Sequence, residues 1–242
     1  EKYEQTLYQN SPDFKLNMYM PIEHIKNQST IEQLFKDKRI DFESTVDSDY
    51  LLISAIKSKN IGLSLFLIKS DYPIRFDSQD KSQKTALHSA IENSLDQIVF
   101  ILIDKYCSQE LFNCFFIEDH NNENPIHYIF KSFNIKYVNE LYCHLKTFMN
   151  QNELSTLINS LRFKSIGESD KIDHTILTYS IVNANSSYVQ SLLTTLKEID
   201  VNIPNSINQT PLYLSFDDFD VFRILIDSDK NLQINHDCVF KV

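Results

Sequence analysis

Thr85-Ala86-Leu87-His88-Ser89-Ala90-Ile91, followed by Asp96-Gln97-Ile98-Val99-Phe100-Ile101-Leu102-Ile103, is the stretch that decides the fold. A Thr suited to capping opens a short apolar helix, Asn93-Ser94 breaks it, and a second, strongly apolar helix follows. The same layout recurs on both sides. Tyr50-Leu51-Leu52-Ile53 leads to Leu65-Phe66-Leu67, and Asn124-Pro125-Ile126-His127 leads to Val138-Asn139-Glu140-Leu141. Thr175-Ile176-Leu177-Thr178 leads to Gln190-Ser191-Leu192, and Thr210-Pro211-Leu212-Tyr213 leads to Ile224-Leu225-Ile226. The anchors 50, 85, 124, 175 and 210 are spaced by 35, 39, 51 and 35 residues. In four of the five units a leucine stands 17 positions after the anchor, at Leu67, Leu102, Leu141 and Leu192.

The physical chemistry of the pattern is consistent from unit to unit. Thr or Asn at a helix start satisfies an orphan N–H, worth about 1 kcal/mol. Pro125 and Pro211 fall at the first helical position, where a missing N–H costs nothing. Leu87, Ile126, Leu177 and Leu212 occupy one core-facing slot. A helix pair this small cannot bury its own apolar face, and stacking on a neighbour closes it.

Thr85-Ala86-Leu87-His88-Ser89-Ala90 and Thr210-Pro211-Leu212-Tyr213 resemble the T-P-L-H-x-A signature of the ankyrin repeat family. Five residues before each anchor that family carries the Asp of a D-x-x-G-x-T hairpin. Here Asp80, Asp119, Asp170 and Asn205 stand at that place, with Thr45 in the weakest unit. Its turn glycine is replaced by Gln83, Asn122, Asp173, Asn208 and Ser48. Asn and Asp tolerate left-handed backbone, whereas Gln83 is expected to be strained there.

The resemblance implies an all-α ankyrin-type helical repeat solenoid with short β-hairpin fingers. An N-terminal extension or cap covers 1–19, and the array covers 20–242, with units starting near 20, 50, 85, 124, 175 and 210. Long insertions follow the third and fourth repeats, at 104–118 and 145–169; they are expected to lengthen outer helices or to add one. His88 and His127 are implied to make hydrogen bonds between repeats. The implied partner surface lies on the hairpin tips and inner-helix ends. By position it comprises Asp47, Asp49, Lys57, Lys81, Ser82, Lys84, Glu92, His120, Asn121, Glu123, Lys131, Lys171, His174, Asn183, Gln209, Asp217 and Asp218. Lysine at both Asp217 and Asp218 is expected to weaken binding of a basic partner.

Composition removes other classes. The chain of 242 residues has a formal net charge of −10 and no basic run, so nucleic acid is not an expected partner. No apolar stretch reaches the roughly 18 residues of a membrane span, so no membrane insertion is expected. Gly62 and Gly167, the two glycines, cannot build a phosphate-cradling loop. Cys107, Cys114, Cys143 and Cys238 form no CxxC pair and read as reduced thiols of a cytoplasmic or nuclear protein. Cys143-His144 lacks further ligands at zinc spacing, and Asp217-Asp218 with Asp220 lacks the Gly and Glu of a calcium loop.

No catalytic, cofactor or metal residue is therefore expected. The expected function is a non-catalytic scaffold or adaptor that binds another protein, as yet unidentified. The alternative is a regulatory or targeting repeat domain of a larger enzyme, channel or secreted effector, with the remainder of its own longer chain as a further candidate partner. The absence of an initiator Met favours a fragment. Codon bias of an A/T-rich genome accounts for the many Asn, Lys and Ile residues.

Overall fold

The computed structural model describes residues 51–70, 74–164, 172–228 and 230–234. Asp47, Asp49 and Lys171 of the expected surface lie outside them, as do the segment 1–19, the unit near residue 20 and the anchor Tyr50. The described residues fall into two compact units.

The first unit takes 51–102 and Phe116–Glu123. It contains helices α1 (Leu51–Lys57), α2 (Ile61–Lys69), α3 (Ala86–Glu92) and the start of α4 (Asp96–Tyr106). Helix α1 packs on both α2 and α3. Leu52, Leu67, Leu87 and Leu102 are buried, as the repeat spacing requires.

The second unit takes Ile103–Phe115 and the described chain from Asn124 onward. Its helices are α5 (Pro125–Lys131), α6 (Ile135–Phe148), α7 (Gln151–Ser160), α8 (Ile176–Asn183), α9 (Ser186–Thr195), α10 (Pro211–Leu214) and α11 (Phe219–Ile226). Outer helices pack in succession, α6 on α9 and α9 on α11, while inner helix α8 packs on α10. Ile126, Leu141, Leu177, Leu192, Leu212 and Leu225 are all buried.

Local chemistry sets the helix starts. Asn124 Oδ1 accepts from the N–H groups of Ile126 and His127, Thr175 Oγ1 from Thr178, and Thr210 Oγ1 from Tyr213. Asparagine serves the outer helices in the same way: Asn60, Asn134 and Asn185 cap α2, α6 and α9. Among the described residues no helix is long and apolar enough to cross a membrane.

The insertions add structure of two kinds. The first forms a 3-10 turn, Phe112–Phe116, whose Phe115 meets Tyr106 edge to face at 5.4 Å. The second adds α7 and an antiparallel pair, β1 (Phe163–Lys164) with β2 (Asp173–His174), in register Phe163 to His174.

The turn positions behave unequally. Gln83, Asn122 and Asn208 adopt positive φ of 58°, 58° and 61°. Asp173, placed by sequence in the same role, is instead extended in β2 because its segment pairs with β1. Left-handed backbone costs an ordinary side chain about 1 kcal/mol or more, and Asn less. Gln83→Gly is accordingly expected to raise stability by about 0.5–1 kcal/mol, and Asn122→Gly to change it little, as read from urea midpoints.

Candidate protein-binding surface

Three turns share one construction. Asp80 Oδ1 accepts from the N–H groups of Ser82 (2.7 Å) and Lys84 (2.8 Å). Asp119 Oδ1 does the same for Asn121 (2.8 Å) and Glu123 (3.1 Å), and Asn205 Oδ1 for Ile207 (3.2 Å) and Gln209 (2.9 Å). In each, the first residue's N–H also donates to the carbonyl four residues on, at 2.9 Å. An Asp or Asn side chain bonded to its own backbone two residues on is the usual device for a tight turn. At Asp80, Asp119 and Asn205 the side chain five residues before the anchor therefore shapes the turn; Asp170 and Thr45 lie outside the described residues.

Turns are also tied to one another within each unit. In the first, Gln79 Nε2 donates to the carbonyls of Gln83 (2.6 Å) and Glu118 (2.8 Å). His120 Nε2 pairs with Lys81 O at 2.8 Å, and His120 N–H donates to Ser82 O at 3.3 Å. In the second, Asp173 N–H donates to Ser206 Oγ and Ser206 N–H to Asp173 O, both at 2.9 Å.

Behind the first unit's turns lies buried His88. Its Nδ1 accepts the N–H of Thr85 at 3.0 Å, and its Nε2 meets Glu123 O at 3.0 Å. This joins the unit anchored at Thr85 to the turn that precedes Asn124, as the resemblance implied. His127 Nδ1 likewise accepts from Asn124 N–H at 3.2 Å. Burial pushes the His88 imidazole down to about 4, despite the pull of Glu123 O and Asp119. Asp80 is buried too, which raises its carboxyl; bonds from Lys57 and the Lys84 and Ser82 backbone outweigh this and hold it below its ordinary value.

The repeated helix pair, its Asp- or Asn-closed turn and the histidine link across repeats decide the fold. The chain has the ankyrin-repeat fold. The ankyrin-repeat domain of Bcl-3, a member of the IκB protein family, superposes with a TM-score of 0.60 at 15% identity, over 87% of this chain and 86% of that one. An ankyrin-repeat domain from Acinetobacter baumannii AYE gives 0.59 at 13% identity, over 86% and 97%. So does a chain from the complex of the predatory endopeptidase Bd0816 of Bdellovibrio bacteriovorus with the immunity protein Bd3460, at 14% identity over 86% and 97%. No family model and no curated protein matches the sequence.

Within this ankyrin-repeat fold, the side chains expected at the surface divide. Lys81, Ser82, Glu92, His120, Asn121, Asn183, Asp217 and Asp218 are exposed, while Lys131 and Gln209 are half-buried. Lys57 and Lys84 are engaged within the first unit, Lys57 with Asp80 Oδ2 at 2.8 Å and Lys84 with Glu92 at 2.7 Å. Lys131 Nζ lies 6.0 Å from the ring centre of Tyr179.

Two expectations are corrected. His174 is 2% exposed, because pairing opposite Phe163 turns its ring inward, against Tyr179 at 6.4 Å. Glu123 is buried because its segment closes the turn and receives His88. A third expectation is altered: Asp218 caps α11, accepting from Asp220 and Val221 N–H, so charge reversal there also removes a helix cap.

The sequence reading did not include exposed Gln83 at a turn apex, or the exposed apolar residues Ile207 (51%) on a turn and Val182 (53%) near the end of α8. For Ile207 and Val182 the signal was available: apolar residues beside polar ones, off the core-facing period. Elsewhere, His144 Nε2 lies 3.3 Å from Glu140 and 3.9 Å from Asp104, but among the described residues no group of His, Cys, Asp and Glu is arranged to hold a metal ion.

Proposed function

We propose that this chain is a non-catalytic scaffold that binds another protein through its turn tips and inner-helix ends, in the cytoplasm or nucleus, without a cofactor. The carrying observation is that the turn backbones are locked while their apex side chains face solvent. Lys81, Ser82, Gln83, His120 and Asn121 project from a frame held by Asp80, Asp119 and turn-to-turn hydrogen bonds. A prearranged surface loses little entropy on association. Its mixed charges suit a polar partner surface, where complementarity governs on-rate and specificity.

In the second unit, taken by itself, Asn183, Gln209 and Asp217, with Lys131 at the end of α5, are the proposed contacts. The full array, 20–242 behind the segment 1–19, belongs to this proposal. That one structural neighbour comes from a complex with an immunity protein supports a protein partner.

A photo-crosslinking residue at Ser82 tests the reading, with Gln97, exposed on outer helix α4, as control. Expected is one discrete adduct from Ser82 in native extract, lost on the charge reversal Lys81→Glu with the fold intact by circular dichroism. Equal adducts from Gln97, or an adduct indifferent to the reversal, would overturn it.

A further inference from the structure

Helix α11 presents two apolar edges, of which one is covered. Val221 and Leu225 are 1% and 0% exposed. Phe219, Phe222 and Ile226 form a second stripe at i, i+3 and i+7, which places them on one face. Phe219 is 76% exposed and Ile226 46%. Phe216, 42% exposed in the preceding 3-10 turn Ser215–Asp217, stacks on Phe222 with ring centres 5.5 Å apart. Single exposed apolar residues are ordinary, but a continuous stripe with a stacked aromatic base has the anchor spacing of helix-on-helix recognition.

The charge around the stripe specifies its complement. Asp220 and Asp227, seven positions apart, lie along one side of it and Asp217 and Asp218 at its start, against Arg223, which pairs with Asp227 at 3.5 Å. A second copy of this chain would bring the same acids against these and be repelled. A cationic helix would be attracted.

We propose that α11 docks a short amphipathic helix of another protein, with bulky apolar side chains on one face and Lys or Arg flanking that face. Of these residues only Asp217 also belongs to the surface proposed above, and no variant below touches it, so either assignment can fail without the other.

The probe is a fluorescent helical peptide of about 18 residues with Leu at i, i+3, i+4 and i+7 and flanking Lys, titrated onto the full chain by anisotropy. Expected is saturable binding that Phe219→Ser weakens by roughly tenfold or more, that Phe219→Met retains, and that Asp220→Asn with Asp227→Asn weakens severalfold. Phe219, Asp220 and Asp227 are all exposed, so these variants are expected to keep the fold, which thermal melts verify. The proposal is overturned by binding unchanged in Phe219→Ser, or by equal binding of a peptide with Glu in place of Lys. It is also overturned by self-association of the wild-type chain that Phe219→Ser abolishes, since the occupant would then be a second copy.

Discussion

His88→Ala is expected to lower stability by about 3–5 kcal/mol, read from urea unfolding at neutral pH. The side chain is fully buried and holds two backbone groups far apart in sequence, the Thr85 N–H and the Glu123 carbonyl. Truncation leaves a cavity and an unsatisfied buried Thr85 N–H, the latter costing about 1–3 kcal/mol, while the Glu123 carbonyl keeps its bond from Asp119 N–H but loses the link to His88. Because Nδ1 accepts a backbone N–H, the proton sits on Nε2 and the ring is neutral in the fold.

That neutrality makes the effect pH-dependent. The unfolded imidazole titrates near 6.5 and the folded one near 4. Between those values the unfolded chain binds the extra proton, so stability rises with pH and is lost as pH falls from 6.5 towards 4. The loss reaches about 3 kcal/mol at pH 4, at 1.36 kcal/mol per unit. Stability measured from pH 7 to 4 should show this slope in the wild type and lack it in His88→Ala. Asp80 adds its own loss only at more acid pH, below its ordinary 3.8, since its folded carboxyl is held lower.

Phe163→Ala is expected to cost a further 3–5 kcal/mol at its own site, the range for truncating a buried Phe. The residue is 0% exposed and stacks on Tyr179 at 5.1 Å, beside His127 at 5.2 Å and Phe130 at 6.2 Å. Aromatic pairs of this geometry add about 0.5–1.5 kcal/mol each beyond buried area. The experiment asks whether the second insertion is decoration or core. A loss under 1 kcal/mol in thermal or urea unfolding would make it decoration.

What could be read from the residues alone was whatever acts within about four positions of itself. The Thr and Asn caps, the prolines at first helical positions, the Asp-closed turns and the left-handed backbone of Gln83, Asn122 and Asn208 all depend on bonds between residues two to five apart. The buried leucines follow too, because a helix of fixed period turns a fixed set of positions inward. Even the Asp218 cap is local, since it accepts from N–H groups two and three residues on, although Asp217 and Asp220 beside it give the segment the look of a single acidic group.

Long-range pairing decided the rest. Nothing near His174 says that residue 163 will pair with it, eleven positions back, and that pairing alone buries a histidine otherwise placed at an exposed tip. Glu123 is buried by a histidine 35 positions earlier. Phe219 and Phe222 fall on a helical stripe as readily as Val221 and Leu225 do. Which stripe meets α9 and which stays in water depends on where the neighbouring helix lies, and so on packing rather than on period.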